Sequence, residues 1–319
     1  MIKAAVIGLG NMGQHHAKAY SAIAEASLVA VCDHNKDRFD RIIKEKDTQY
    51  FSSVDDLLAS QEIDVVSICL PTTAHFEIAK KCIDYNIAVL VEKPITQTIQ
   101  QAKELVAYAK EHNVMLTVGH IERFNPAITR VKEWMTEGNL GDVQTILCKR
   151  YGPFPKQIKD ADVLVDVAVH DIDIVQFLVD SQLVSSDVYT HHIHCDDRAD
   201  YGHLMLQFEP KLMVNIHVSW ALPFKQREVE IVGDKGIAII DCISQSMTYY
   251  DVDVEKGADY VSLPLSDPQT VAINKKEPII EECRSFVDSV MHQTSPIVLP
   301  EQALASLKIA LQQPSPALV

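Results

Sequence analysis

The sequence is short of several things, and each shortage excludes a class of function. No apolar run among its 319 residues approaches the ~20 needed for a membrane-spanning helix. The first residues enter an apolar, strand-like run instead of a secretory leader, so the expected compartment is the cytoplasm, with no membrane partner. CxxC pairs are missing as well: the seven cysteines (Cys32, Cys69, Cys82, Cys148, Cys195, Cys242 and Cys283) are scattered and odd in number, a pattern of reduced core thiols. A basic face is absent, because 29 Lys and Arg against 44 Asp and Glu leave a formal charge of −15. That balance argues against a nucleic-acid partner. It leaves room for one small anion, and Lys149, Arg150, Lys156 and Lys159 fall together with no acid before Asp160, as a solvated loop or a local anion site would.

What is present points to two domains of α/β class. From Met1 to about residue 120, short apolar runs (Lys3 to Ile7, Ser27 to Cys32, Asp64 to Leu70, Ala88 to Val91, Val114 to Val118) alternate with helical stretches (Gln14 to Ala24, Ala74 to Tyr85, Gln97 to His112). Alternation of this kind predicts a doubly wound parallel sheet, with ligands at the carboxyl ends of its strands. The boundaries expected are 1–121 for this first domain and 122–319 for a second α/β domain with a large, open, mostly antiparallel sheet. Whether the C-terminal helices pack back on the first domain is left open. In the second domain a helix is read from Pro126 to Glu137, and strands at Val143 to Tyr151, Asp187 to Cys195, Tyr201 to Phe208, Leu212 to Trp220, Arg227 to Val232, Ile237 to Asp241 and Ser246 to Val252. A helix around Asp166 to Leu178 would cover one sheet face. The other, carrying Met205, Met213, Ile216 and Val218, is a candidate homo-oligomer surface. The tail from Gln313 to Val319, broken by prolines, is expected to fray.

The strongest motif is Gly8-Leu9-Gly10-Asn11-Met12-Gly13, set between a strand and a helix. Gly8 allows the tight turn, Gly10 lets the backbone approach a pyrophosphate, and Gly13 lets the helix pack on the strand, with the helix N-terminus aimed at the phosphates. A second strand ends in Asp33, about 20 residues further on, where a carboxylate accepts from ribose hydroxyls. The same charge repels the extra phosphate of NADP, and His34 and Asn35 offer no arginine to offset it, so NAD is the expected cofactor. Arg38 is a nearby cation that bears against this.

Three further groups could move a proton. Lys93, between Glu92 and Pro94 at a strand end, could act as a base once desolvated and beside a positively charged ring. In Leu164 to Asp173, a helix would put Asp166 and His170 on one face, where the aspartate would fix the imidazole tautomer. A satisfied core histidine, or a metal site of Asp166, His170 and Asp173, are the competing readings. His191, His192, His194 and Cys195 have metal-like spacing, but in a strand they divide between two faces, so no metal site is expected.

These motifs resemble the Gfo/Idh/MocA family of nicotinamide-dependent sugar oxidoreductases. The resemblance runs through Gly8 to Gly13, Asp33, Leu70-Pro71-Thr72 with His75, Glu92-Lys93-Pro94, Gly119-His120, Arg123-Phe124-Asn125-Pro126, and Asp166 with His170. It implies a Rossmann domain and an oligomer-forming α/β domain, and Lys93, Asp166 and His170 as the catalytic set. It further implies cofactor contacts from Gly8, Gly10, Asn11, Met12, Gly13, Asp33, Leu70, Pro71, Thr72, His75, Glu92 and Lys93. Substrate contacts are implied for His120, Arg123, Asn125, Lys149, Arg150, Tyr151 and His170. Within the family, the segments at 120–127, 150–155 and 167–173 look most like UDP-N-acetylglucosamine 3-dehydrogenases, for whose diphosphate Arg123, Arg150 and Lys149 are the expected partners. A dehydrogenase of a free polyol such as inositol, and a non-catalytic NAD(H) sensor, are the alternatives. The expected assembly is a homodimer or homotetramer.

Overall fold

The computed structural model describes residues 1–44, 47–60, 62–155, 161–256, 261–264 and 266–315. The chain divides into two compact units: Met1–Ile121 with Glu277–Leu307, and Glu122–Lys276 with Lys308–Val319. The stretch 122–319 is thus interrupted, since residues 277–307 belong with the first unit.

In the first unit, β1 (Ile2–Ile7), β2 (Ala26–Cys32), β3 (Gln49–Phe51), β4 (Val65–Ile68), β5 (Ala88–Glu92) and β6 (Leu116–Gly119) form one parallel sheet in the order β3-β2-β1-β4-β5-β6. This is the order of a dinucleotide-binding Rossmann sheet, with its crevice where the order reverses at β1. Every residue of β4 and β5 is buried, as helices on both faces require. Those helices are α1 (Asn11–Ala22), α2 (Lys36–Ile42), α3 (Val54–Ser60), α4 (Thr72–Asp84) and α5 (Ile99–Glu111). The elements α2, β3 and α3 are too short to stand out by periodicity.

The second unit opens with a 3₁₀ turn (Ile121–Phe124) and α6 (Pro126–Thr136), which Asn125 caps by accepting from the Ala127 N–H. Next come β7 (Val143–Pro153), a π-helical turn (Leu164–Ala168), α7 (Val169–Leu178), β8 (Leu183–His191), β9 (Tyr201–Phe208), β10 (Leu212–Ser219), β11 (Ala221–Gly233), β12 (Gly236–Asp241) and β13 (Ser246–Asp251). A small β14 (Glu255–Lys256) and β15 (Val261–Ser262) pair, and β16 (Gln269–Val271) completes an eight-stranded sheet, β16-β13-β12-β11-β7-β10-β9-β8. Among the described residues of this sheet, only the β7 and β10 pair is parallel. Its strands alternate buried with part-exposed residues, so one face is packed and the other is open. Ile216 and Val218 are fully buried on the packed face, and Met213 lies on the open one; the four residues expected to share an oligomer surface divide between two faces because strand side chains alternate.

Two helices follow, α8 (Pro278–His292) and α9 (Pro300–Ala310). In α8, Ile279, Cys283, Phe286 and Val287 join Ala17 and Tyr20 of α1 in the first unit's core. The tail does not fray at once. Ser315 N–H donates to Val188 O at 2.6 Å and accepts through its Oγ from the Val188 N–H at 3.2 Å, covering part of the β8 edge. Residues 316–319 lie outside the described residues.

Candidate active site

The glycine turn in the first unit is built for close approach. A Cβ on Gly13 would lie 1.7 Å from the Gly8 carbonyl oxygen, and one on Gly8, at φ +92°, would lie 2.6 Å from that of Cys69. A Cβ on Gly10 would meet nothing within 4 Å. Gly8 and Gly13 therefore hold the fold together, while Gly10, the residue before α1, leaves open the space a pyrophosphate needs in front of that helix's unpaired N–H groups. The Asp33 carboxylate is buried at the end of β2. It accepts from Leu9 N–H at 2.6 Å and Asn35 N–H at 2.8 Å, which pins the glycine turn, and Arg38 Nη1 lies 3.4 Å away. A carboxylate offers about four acceptor positions, so capacity for a ribose hydroxyl remains. These residues fit a dinucleotide.

At the next strand ends the chain is knitted from within. His75, buried in α4, has Nδ1 2.9 Å from Pro94 O and Nε2 2.9 Å from Leu70 O. Burial lowers the basicity of its imidazole, against the pull of those carbonyls. A ring so enclosed is a brace between the loop after β4 and the segment after β5. Glu92 is likewise turned inward: Oε1 meets His16 Nε2 at 2.9 Å, and Oε2 accepts from Lys93 N–H at 3.1 Å. Lys93 follows β5, half-buried, with a cis peptide to Pro94. Leu70 and Thr72 are half-buried and Pro71 is exposed in the loop after β4, and Asn11 and Met12 begin α1. His120 is buried just after β6.

In the second unit, Asp166 lies in the π-helical turn and His170 in the first turn of α7, both half-buried. Val169 N–H reaches back five residues to Leu164 O, so the expected regular helix is wider here, and Asp162 caps it by accepting from Leu164 and Val165 N–H at 3.0 Å each. Gly202 of β9 seats this turn: a Cβ there would lie 2.5 Å from Leu164 Cδ2.

The expected substrate cations are engaged elsewhere. Arg150 is buried, donating to both Asp171 oxygens (Nε 2.9 Å to Oδ2, Nη2 2.9 Å to Oδ1) and through Nη1 to Glu122 at 2.7 Å. Arg123 is buried too, paired with Asp173 at 2.7 and 2.6 Å. Neither offers a free fork to a diphosphate, and the same pairing removes Asp173 from the metal reading. Asn125 is taken up by Glu122, Cys242 O and its own helix cap. Lys149 and Tyr151 alternate with Arg150 and point to the open face, away from α7; Lys149 pairs there with Glu228 at 2.9 Å. Lys156 and Lys159 lie outside the described residues. The strand β8 stops at His191, and a turn follows in which His192 Nδ1 meets Cys195 O at 3.0 Å and the Cys195 thiol donates to Asp197 at 2.8 Å. Among the described residues, no cluster of three or more His, Cys, Asp or Glu could hold a metal ion.

His16, Ser67 and Tyr20 are the site-proximal residues that motif reasoning passed over. Their signal was a histidine on the glycine turn's own helix at a position that must be buried.

The order of the sheet, the glycine cradle and the strand-end carboxylate define a dinucleotide-binding domain of Rossmann type. The chain belongs to the GFO/IDH/MocA oxidoreductases: residues 2–120 match the model of the oxidoreductase family with NAD-binding Rossmann fold, and residues 128–239 that of the GFO/IDH/MocA C-terminal domain. It is 28% identical over 291 residues to a UDP-N-acetylglucosamine 3-dehydrogenase of Acidithiobacillus ferrooxidans, covering 91% of this chain and 88% of that one. A solved structure of that enzyme superposes with a TM-score of 0.85 at 26% identity, covering 98% and 96% of the two chains. The scyllo-inositol 2-dehydrogenase (NAD(+)) of Bacillus subtilis is 25% identical over 324 residues, covering 97% and 92%.

Proposed function

We propose that this protein oxidises a secondary sugar hydroxyl to a ketone with NAD, and that its substrate is UDP-N-acetylglucosamine, oxidised at C3. When bound, NAD supplies the hydride acceptor. The N–H groups of Gly10, Asn11 and Met12 hold the pyrophosphate, and Asp33 holds the ribose. The loop from Leu70 to Thr72 lines the cofactor, braced by His75. As the carbinol carbon gives up its hydride, Lys93 or His170 takes the hydroxyl proton, and Asp166 orients the imidazole.

The likeness to the Acidithiobacillus enzyme over nearly the full length of both chains supports this substrate. The neutralised arginines favour a second reading, a free polyol such as an inositol, since Arg123 and Arg150 are closed to a diphosphate. The protein would act in the cytoplasm as a homodimer or homotetramer, using the open sheet face. The test is reduced-nicotinamide absorbance with NAD and UDP-N-acetylglucosamine, its uronate, UDP-glucose and free inositols. Turnover with UDP-N-acetylglucosamine alone is expected. Turnover with free polyols alone selects the second reading, and silence across the panel selects the sensor.

A further inference from the structure

The first unit buries a polar chain that the proposed chemistry leaves unused. His16, on α1, is fully buried, as are Tyr20 on the next turn and Ser67 in β4. Since Glu92 Oε1 can only accept, the proton of that bond sits on His16 Nε2. His16 Nδ1 lies 3.1 Å from Ser67 Oγ and 3.5 Å from the Cys283 thiol, and Ser67 Oγ lies 2.7 Å from the Tyr20 hydroxyl. From the other side, Lys93 N–H donates to Glu92 Oε2. Burial pushes the Glu92 carboxyl up, but His16 and then Lys93 outweigh it and leave it below its usual range, so it is ionised at neutral pH.

A buried carboxylate is costly unless paired, and replacing a buried pair as a whole by apolar residues of similar size is often harmless to stability. Here its two oxygens join two places that have to agree. One is the helix whose N-terminus carries the dinucleotide cradle, and the other is the main chain of the residue that meets the substrate. We propose that His16 and Glu92 are positioning residues that tie α1 to the backbone of Lys93, so that the seat of the dinucleotide and the aim of the lysine are fixed by one buried link. This rests on the reading of Lys93 as a reacting group.

Glu92→Gln keeps the shape and removes the charge; His16→Gln keeps a donor toward Glu92, and His16→Leu removes it. Each variant is compared with Lys93→Ala by steady-state kinetics, NADH affinity from cofactor fluorescence, and thermal unfolding. In Glu92→Gln and His16→Leu, kcat should fall about 10- to 100-fold with NADH affinity held within about twofold, and His16→Gln should recover most of the loss. Equal kcat in His16→Gln and His16→Leu overturns the link, even if Glu92→Gln does not fold. So does a loss carried wholly by KM and NADH affinity, or unchanged kcat in Glu92→Gln while Lys93→Ala collapses. Unchanged kcat in Lys93→Ala overturns the reading of the lysine, and the link with it.

Discussion

In the first unit, two buried carboxylates accept hydrogen bonds from main-chain N–H groups at strand ends: Asp33 from Leu9 and Asn35, Glu92 from Lys93. In the second, Asp171 and Glu122 face Arg150 and Asp173 faces Arg123, while Asp200 accepts from the Ile193 and His194 N–H groups of a turn. The first arrangement shapes backbone around a space that a ligand can enter. The second closes on itself, two forks and three acids filling most of one another's valences. Residues of the same type, next to equally suggestive motifs, therefore build a ligand seat in one unit and an internal frame in the other.

The comparison breaks most sharply under paired substitutions. Lys93→Ala should lower kcat by ~10²- to 10⁴-fold, if the lysine carries the proton, while leaving urea unfolding little changed. Arg150→Met should do the reverse in kind. With Asp171 and Glu122 left buried and unpaired, stability should fall by about 3–5 kcal/mol, read as a lower urea midpoint. The carboxylates around Arg150 also differ in how they respond to pH. Burial raises the Glu122 carboxyl, but Arg150 outweighs it and holds the group below its ordinary value. Its contribution is then complete above the unfolded pKa and lost as pH falls through the folded one, so Glu122→Gln should cost stability near neutrality and progressively less below about pH 4. Asp171, pushed up by burial against the pull of Arg150, has the opposite sign and cannot supply that acid lability.

Within the first unit, two glycines separate frame from seat. Gly13→Ala places a Cβ on the Gly8 carbonyl and should prevent the turn from forming. Gly10→Ala meets no protein atom. It should leave the unfolding temperature in place and weaken NAD binding about tenfold or more, by titration calorimetry, because the methyl enters the pyrophosphate's space. Loss of stability in Gly10→Ala, or undiminished affinity, would remove the cradle from that space.

The difference between the units also explains what the sequence disclosed. Strand, glycine turn, helix and acid are local, and the spacing of Gly8 to Gly13 and of Asp33 carries their geometry directly. The strands of both sheets followed from apolar runs and alternation apart from the short β3 and β16, and the short helices α2 and α3 left no periodic signal. Pairing partners are not local. Nothing near Arg150 in the chain reveals that Glu122 and Asp171 converge on it, so two frame-building arginines read as anion binders. Lys149 and Tyr151 stand apart from Arg150 because neighbours along a strand face opposite ways. His16 was silent because its partner, Glu92, is 76 positions distant.

The open face of the second sheet offers the smallest effect and the finest distinction. Across it, Tyr189, His203, His217, Lys149, Glu228 and Asp241 stand opposite one another on successive strands. The His203 and His217 rings stack at 4.1 Å, with the Tyr201 hydroxyl 3.3 Å from His217 Nδ1. Burial, then His203, then Lys149 push the His217 imidazole below its ordinary 6.5. Such a group binds protons more readily when unfolded, so stability should decline as pH falls from neutrality through that range. His217→Asn should flatten the decline, and the His217 ring should titrate below 6.5 by NMR. A normal midpoint would mean that the open face behaves as solvated surface, unlike the closed ion pairs on the opposite face.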